Sequence, residues 1–192
     1  FTVSNGIIEM ESADGENYGF AADPSVIGWD YQTFGGWIDG RGTGSGRTGA
    51  MSVGNATAGS SIPTSGSATF TGFASGTYAD SNGEGFVTLA NSSVSANFVS
   101  RTAILTTSNT QKVSLASGTS SSASNLNLTG TLTYSSATNS LATTSTGLTT
   151  QGGMSGSANA RFYGPNAEEI GGVFAVRGTS PEAYQGAFGA AQ

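Results

Sequence analysis

The sequence predicts an all-β protein of many short strands, a sandwich or a barrel, and three observations predict it. Apolar and polar residues alternate with a period of two, while the 3.6-residue period of an amphipathic helix is nearly absent. Glycine (30 residues), serine and threonine dominate the composition, and they suit turns and half-buried strands better than helices. Turn signals recur at short intervals, at 40–49, 80–83, 118–124, 135–140 and 178–181.

Taken in order, Phe1, Val3, Ile7, Ile8 and Met10 predict an initial strand. Residues 11–28 are acidic, aromatic and irregular, so 1–29 are read as a lead-in or handle segment. Strands are expected at 30–38 and 49–54. Ala68, Phe70, Gly72 and Ala74 then alternate with Thr69, Thr71 and Phe73, the pattern of a strand with one face buried. Further strands are expected at 85–90 and 94–106, and a long polar loop at 107–124. The clearest strand follows, with Leu126, Leu128, Gly130, Leu132 and Tyr134 on one face. Asn125, Asn127, Thr129, Thr131 and Thr133 lie on the other. Strands at 141–144 and 148–156, the alternation of Ala158, Ala160 and Phe162, and strands at 169–176 and 183–190 complete the chain.

Composition excludes several function classes. The net charge is −6 and Lys112 is the single lysine, which argues against nucleic acid and anionic membrane as partners. Seven of the acids (Glu9, Glu11, Asp14, Glu16, Asp23, Asp30 and Asp39) fall in the first forty residues, read as a solvated face. Cysteine is absent, so there is no disulfide framework and no thiolate metal site. No apolar run approaches the roughly 18 residues of a spanning helix, so no membrane-spanning segment is expected. The chain begins at Phe1 rather than Met, and upstream residues are expected to have been removed.

Catalysis finds little support. Without histidine, the commonest general base and every Ser–His pair are missing. Glu168 and Glu169 are adjacent, and on a strand they point to opposite faces, so they cannot flank one bond. The run from Gly44 to Gly49 matches G-x-G-x-x-G, but strand-like residues follow it where a dinucleotide site needs a helix, and a glycine turn is expected. No cofactor is expected. Aromatics concentrate early, at Tyr18, Phe20, Trp29, Tyr31, Phe34 and Trp37, as either barrel packing or a contact surface.

Two motifs carry a family resemblance. Residues 162–174, Phe-Tyr-Gly-Pro-Asn-Ala-Glu-Glu-Ile-Gly-Gly-Val-Phe, with Gly186-Ala-Phe-Gly-Ala190 near the end, resemble the closing strands of the transferrin-binding protein B β-barrel family. Ile62-Pro-Thr-Ser-Gly-Ser-Ala-Thr-Phe-Thr-Gly72 resembles the same family's Pro-x-Ser-Gly strand, with Phe70 where the family has tyrosine. Gly36-Trp37 resembles its first barrel strand. The resemblance implies an eight-stranded antiparallel barrel over 30–192, on the outer surface of a Gram-negative bacterium or secreted from it. Relatives of this kind are lipid-anchored and capture a host protein or nutrient ligand. Tyr18, Phe20, Trp29 and Tyr78 are the expected ligand contacts. The partner is expected to be a protein or a small nutrient ligand. The alternative is a structural subunit of a surface layer, fibre or adhesin, a homo-oligomer joined by strand donation. A third reading is a barrel that encloses a small ligand.

Overall fold

The computed structural model describes residues 2–4, 6–41 and 46–192. Phe1 of the expected first strand, and Gly44 and Ser45 of the glycine motif, lie outside the described residues. The first sheet runs β1 (Thr2–Ser4), β2 (Ile7–Glu11), β3 (Tyr18–Ala22), β4 (Gln32–Asp39) and β5 (Arg47–Gly54), each strand antiparallel to the one before it. Between β3 and β4 sits one helical turn, α1 (Pro24–Ile27). Its local sequence dictates it: the Asp23 carboxylate accepts from Ser25 N–H, Pro24 occupies the first helical position, and Gly28 ends it with φ of 85°.

The barrel follows as β6 (Ser67–Ala79), β7 (Gly85–Asn97), β8 (Thr102–Ser114), β9 (Ser120–Ser122), β10 (Leu128–Thr133), β11 (Leu141–Ala142), β12 (Leu148–Thr150), β13 (Ser155–Tyr163), β14 (Glu169–Arg177) and β15 (Ala183–Ala191). Among the described residues the staves run β6, β7, β8, β10, the broken β11/β12, β13, β14 and β15. β15 then pairs back onto β6 from Ala183↔Ala79 to Ala191↔Thr71, closing an eight-stranded antiparallel barrel.

The alternation read from the sequence sets the inside. Phe70, Ala74, Leu126, Leu128, Leu132, Ala158, Ala160 and Phe162 all join one buried cluster. Phe162 is its centre, with the rings of Phe70, Phe98 and Tyr134 at 6.0, 5.8 and 5.7 Å. The interior is filled by these side chains, which removes the basis for a barrel that encloses a small ligand.

Several expectations need correction. The single initial strand is a hairpin of β1 and β2, the stretch 11–28 read as irregular contains β3, and the strand expected at 148–156 is β12 and the start of β13 with a turn between them. Residues 30–38 and 49–54, expected to open the barrel, are hydrogen-bonded into the first sheet as β4 and β5. Alternation reveals a buried face but not which sheet buries it. The expected strand 94–106 is two strands, because Asn97 Oδ1 accepts from Val99 and Ser100 N–H and Arg101 takes φ of 55°, making a turn. The polar stretch 107–124, expected as a long loop, extends β8 to Ser114 and adds β9. Its inward hydroxyls are satisfied, Thr110 by Asn127 Oδ1 at 2.7 Å and Ser114 by Glu84 at 2.8 Å.

The first sheet lies against the outside of the barrel, with β4 and β5 across β14 and β15. Glycines on the barrel wall let it approach. A Cβ at Gly171 would run into the Gln32 side chain, and one at Gly189 would meet the Trp29 ring at 2.6 Å. Gln32, 3% exposed, donates its amide N–H to the carbonyls of Ile170 (2.8 Å) and Ala190 (3.1 Å), one on β14 and one on β15. The buried Glu169 carboxylate accepts from Asp30 N–H at 2.7 Å and Tyr31 N–H at 3.2 Å. Trp29, Phe34, Phe20 and Ile7 fill the seam with Ala187 of the barrel wall.

Two outcomes check this seam. Gly189→Ala forces a methyl into the Trp29 ring and is expected to cost about 1–3 kcal/mol in urea unfolding. Burial raises the pKa of Glu169, against the lowering effect of its N–H donors. A carboxyl whose pKa is higher folded than unfolded stabilises most at acid pH, and that contribution is lost as pH rises through the raised value. The melting-temperature advantage of the wild type over Glu169→Gln is therefore expected to shrink from about pH 4 to about pH 7.

Candidate binding surfaces

The two faces of the first sheet differ in kind. Tyr18, Phe20 and Ala22 of β3, with Phe34 and Ile38 of β4, face the barrel. The opposite face carries Met10, Trp37, Met51 and Val53, with 51, 46, 43 and 48% of their surface exposed. Register builds this face: Met10, Gly19, Trp37 and Gly49 lie in one row across β2 to β5. Glycines sit beneath the large side chains. A Cβ at Gly49 would collide with the Trp37 indole, and Cβ atoms at Gly19 and Gly35 would touch the ends of Met10 and Met51 at 3.8 and 3.4 Å. The result is a low apolar surface of flexible thioethers around one rigid ring. A groove of about 380 Å³ runs along its rim between Met10, Trp37 and Tyr18, edged by the carboxylates of Glu11 and Asp39. Burial, and then the Glu9 carboxylate, push the Tyr18 phenol well above its usual range.

A second depression of about 590 Å³ lies where the far end of the first sheet meets one mouth of the barrel. Ile38, Arg41 and Thr48 form one side, and Tyr78, Phe86 and Arg177 contribute to the other. The mouth itself is plugged. Lys112 Nζ sits 3.9 Å from the Phe86 ring centre, Phe86 stacks on Tyr78 at 5.8 Å, and the Tyr78 hydroxyl donates to Glu182 at 2.9 Å. Arg41 bridges the two parts, pairing with Glu11 at 2.7 Å and donating to the Leu115 carbonyl.

The structure separates the four aromatic residues expected to contact ligand. Phe20 and Trp29, 2% and 5% exposed, pack in the seam between sheet and barrel, and Tyr18 is half-buried against the same cluster. Tyr78, 6% exposed, belongs to the barrel core and only its edge reaches the depression at the mouth. Trp37, among the early aromatics but not among the expected contacts, is the one of them that stands on the outward face of the first sheet. Its parity carried the signal: Phe34, Gly36 and Ile38 share one face of β4, and Trp37 stands on the other. Lys112, Gln32 and Glu182 act through partners distant in sequence, so no local pattern marked them. Glu168 and Glu169 do point apart, the first half-buried and accepting from Asn166, the second buried in the seam. Arg47, Thr48 and Gly49 of the glycine motif belong to β5, so the motif runs into a strand where a dinucleotide site needs a helix.

Residues 62–192, more than half of the chain, match the family of C-lobe and N-lobe β-barrels of Tf-binding protein B. The chain belongs to this family. The match begins at Ile62, where the Pro-Thr-Ser-Gly strand begins, and takes in the closing motif at 162–174. Solved transferrin-binding protein B structures share the fold. A mutant of the Haemophilus parasuis vaccine antigen aligns with a TM-score of 0.62 at 16% identity, over 99% of this chain and 37% of that one. The isotype 1 protein of serogroup B Neisseria meningitidis gives 0.61 at 18% identity, over 99% and 36%. A structure described as a surface lipoprotein gives 0.51 at 18% identity, over 85% and 76%. The chain thus spans little more than a third of the transferrin-binding protein B chains. Among curated protein sequences, none matches this one. Among the described residues, no helix is long and apolar enough to cross a membrane.

Burial sets the tyrosine titration. Desolvation raises the Tyr184 phenol to about 12 and lifts Tyr78 further, with help from Glu182. Spectrophotometric titration of the folded protein to about pH 11 is expected to leave Tyr18, Tyr78 and Tyr184 protonated. Tyr78→Phe removes one phenol from the step that appears on unfolding.

Proposed function

We propose that this chain is a non-enzymatic binding protein of the outer surface of a Gram-negative cell, or secreted from it, that captures a host protein or a nutrient carried by one. The observation that carries the reading is the outward face of the first sheet. Trp37, Met10, Met51 and Val53 stand exposed together there. Surface aromatics and methionines on one rigid sheet are what a protein interface uses as anchors, and soluble chains leave such patches open at a cost in solubility. The family adds support, because its structures are named for transferrin binding, and transferrin is the first partner to test.

Tyr18 lines the rim groove beside Trp37 and is proposed as a contact there through its ring, its hydroxyl being buried. Phe20 and Trp29 act on it indirectly, by holding the sheet in place from beneath. Tyr78 is proposed to contribute through the depression at the barrel mouth, where a bound partner would also cover Arg41 and Arg177. We further propose that the chain divides functionally near residues 55–66, into a contact-bearing sheet and a barrel that supports it. A lipid anchor upstream, as in lipoprotein relatives, belongs to the same proposal.

The test is surface plasmon resonance with iron-loaded and iron-free transferrin over the captured chain, with albumin as reference. Trp37→Ala is expected to weaken binding by about tenfold or more, the loss of one interface anchor. Its melting temperature should stay close to wild type, because the indole is half exposed. Transferrin binding that survives Trp37→Ala would move the contact surface elsewhere. Absence of transferrin binding would remove transferrin as the ligand.

A further inference from the structure

We propose that the groove between α1 and the outer wall of β6, β7 and β8 binds a neutral saccharide. The groove has a volume of about 610 Å³, the size of a site for a small oligosaccharide. None of the side chains that bound it is an Asp, Glu, Lys or Arg. Its floor is two rows read across the strands. Phe73, Asn91 and Ser108 form one row, and Thr71, Ser93 and Thr106 form the next. Trp29, placed by the capped turn of α1, makes part of the side wall.

These groups match one chemistry. Hydroxyls and side-chain amides both donate and accept, as sugar hydroxyls do, and they sit here at the spacing of adjacent strands. Among the described residues, the side chains of Thr71, Asn91, Ser93 and Ser108 make no hydrogen bond to protein, so their capacity is available. The partly exposed Phe73 ring offers surface against which the C–H face of a pyranose packs, bordered by the small exposed edge of the buried Trp29. A charged ligand would enter without a counter-charge and lose hydration uncompensated. The same neutral track continues beyond the groove, from Thr106 to Thr129 of β10 and Thr149 of β12. A linear glycan has room to run along it. This site lies on another face from the Trp37 surface, and neither proposal depends on the other.

The test uses saturation-transfer NMR and calorimetry on the full chain, with maltotriose, cellotriose and N,N′-diacetylchitobiose as probes and a sulfated heparin disaccharide as the anionic control. At least one neutral probe is expected to bind, with the heparin disaccharide binding more weakly. Asn91→Asp and Thr106→Glu, both at exposed positions, are each expected to lower that affinity by about tenfold with no change in melting temperature. The proposal is overturned if no neutral probe binds, if the anionic disaccharide binds best, or if both variants keep wild-type affinity. It is equally overturned if the two variants only change the sedimentation coefficient, since the neutral wall would then be a contact between copies of this chain.

Discussion

Strand β15 has no solvent face along most of its length, and the rest of the molecule is arranged around that constraint. Tyr184, Phe188 and Ala190 close the barrel interior, while Ala187 and Gly189 form the ground on which the first sheet rests. Successive residues of a strand point to opposite sides, so one nine-residue segment must satisfy two cores at once. The inward side can be large. The outward side must be small, because a second sheet packs there at close range. The Gly–Ala–Phe–Gly–Ala run at 186–190 is the solution the chain uses.

The seam that results combines apolar packing with buried polar anchors. Gln32 reaches the carbonyls of two neighbouring staves, and Glu169 collects the backbone N–H groups that enter β4. A misplaced sheet would leave that carboxylate and that amide buried without partners, which costs far more than a lost contact at the surface. These two side chains therefore specify position, while Trp29 and Phe34, 5.9 Å apart, supply the buried area. The exposed Trp37 face inherits its rigidity from this attachment on the sheet's other side.

Local alternation made the barrel staves legible wherever the two faces differed in polarity, as at 128–133 and 158–162, although Leu126, read into the first of these, ends a short 3-10 turn before it. It did not reveal that 32–54 belongs to a different sheet, because Phe34, Gly36 and Ile38 look equally buried whichever sheet covers them. The Ser-rich end of β8 was illegible for another reason: its inward hydroxyls are satisfied by Asn127 and Glu84, far along the chain. At the proposed contact surfaces, an aromatic side chain read as a ligand contact is indistinguishable in sequence from one read as packing. Phe20 and Trp29 took the packing role. Trp37 could be separated from them only by counting which side of β4 it occupies. The neutral groove left no motif at all, since it exists only when three strands and α1 are brought together.

The scarcity of charge has a further consequence for survival outside a cell. A trypsin-like protease cuts only after lysine or arginine, and the chain offers six such residues. Lys112 and Arg161 lie inside hydrogen-bonded strands, where the backbone cannot enter a protease cleft without local unfolding, and Arg47 and Arg177 are the end residues of β5 and β14. Arg41 and Arg101 stand in turns, and Arg41 is tied to Glu11 and Leu115. A wall built from threonine and serine instead of lysine is thus also a wall with few cleavage points for such a protease.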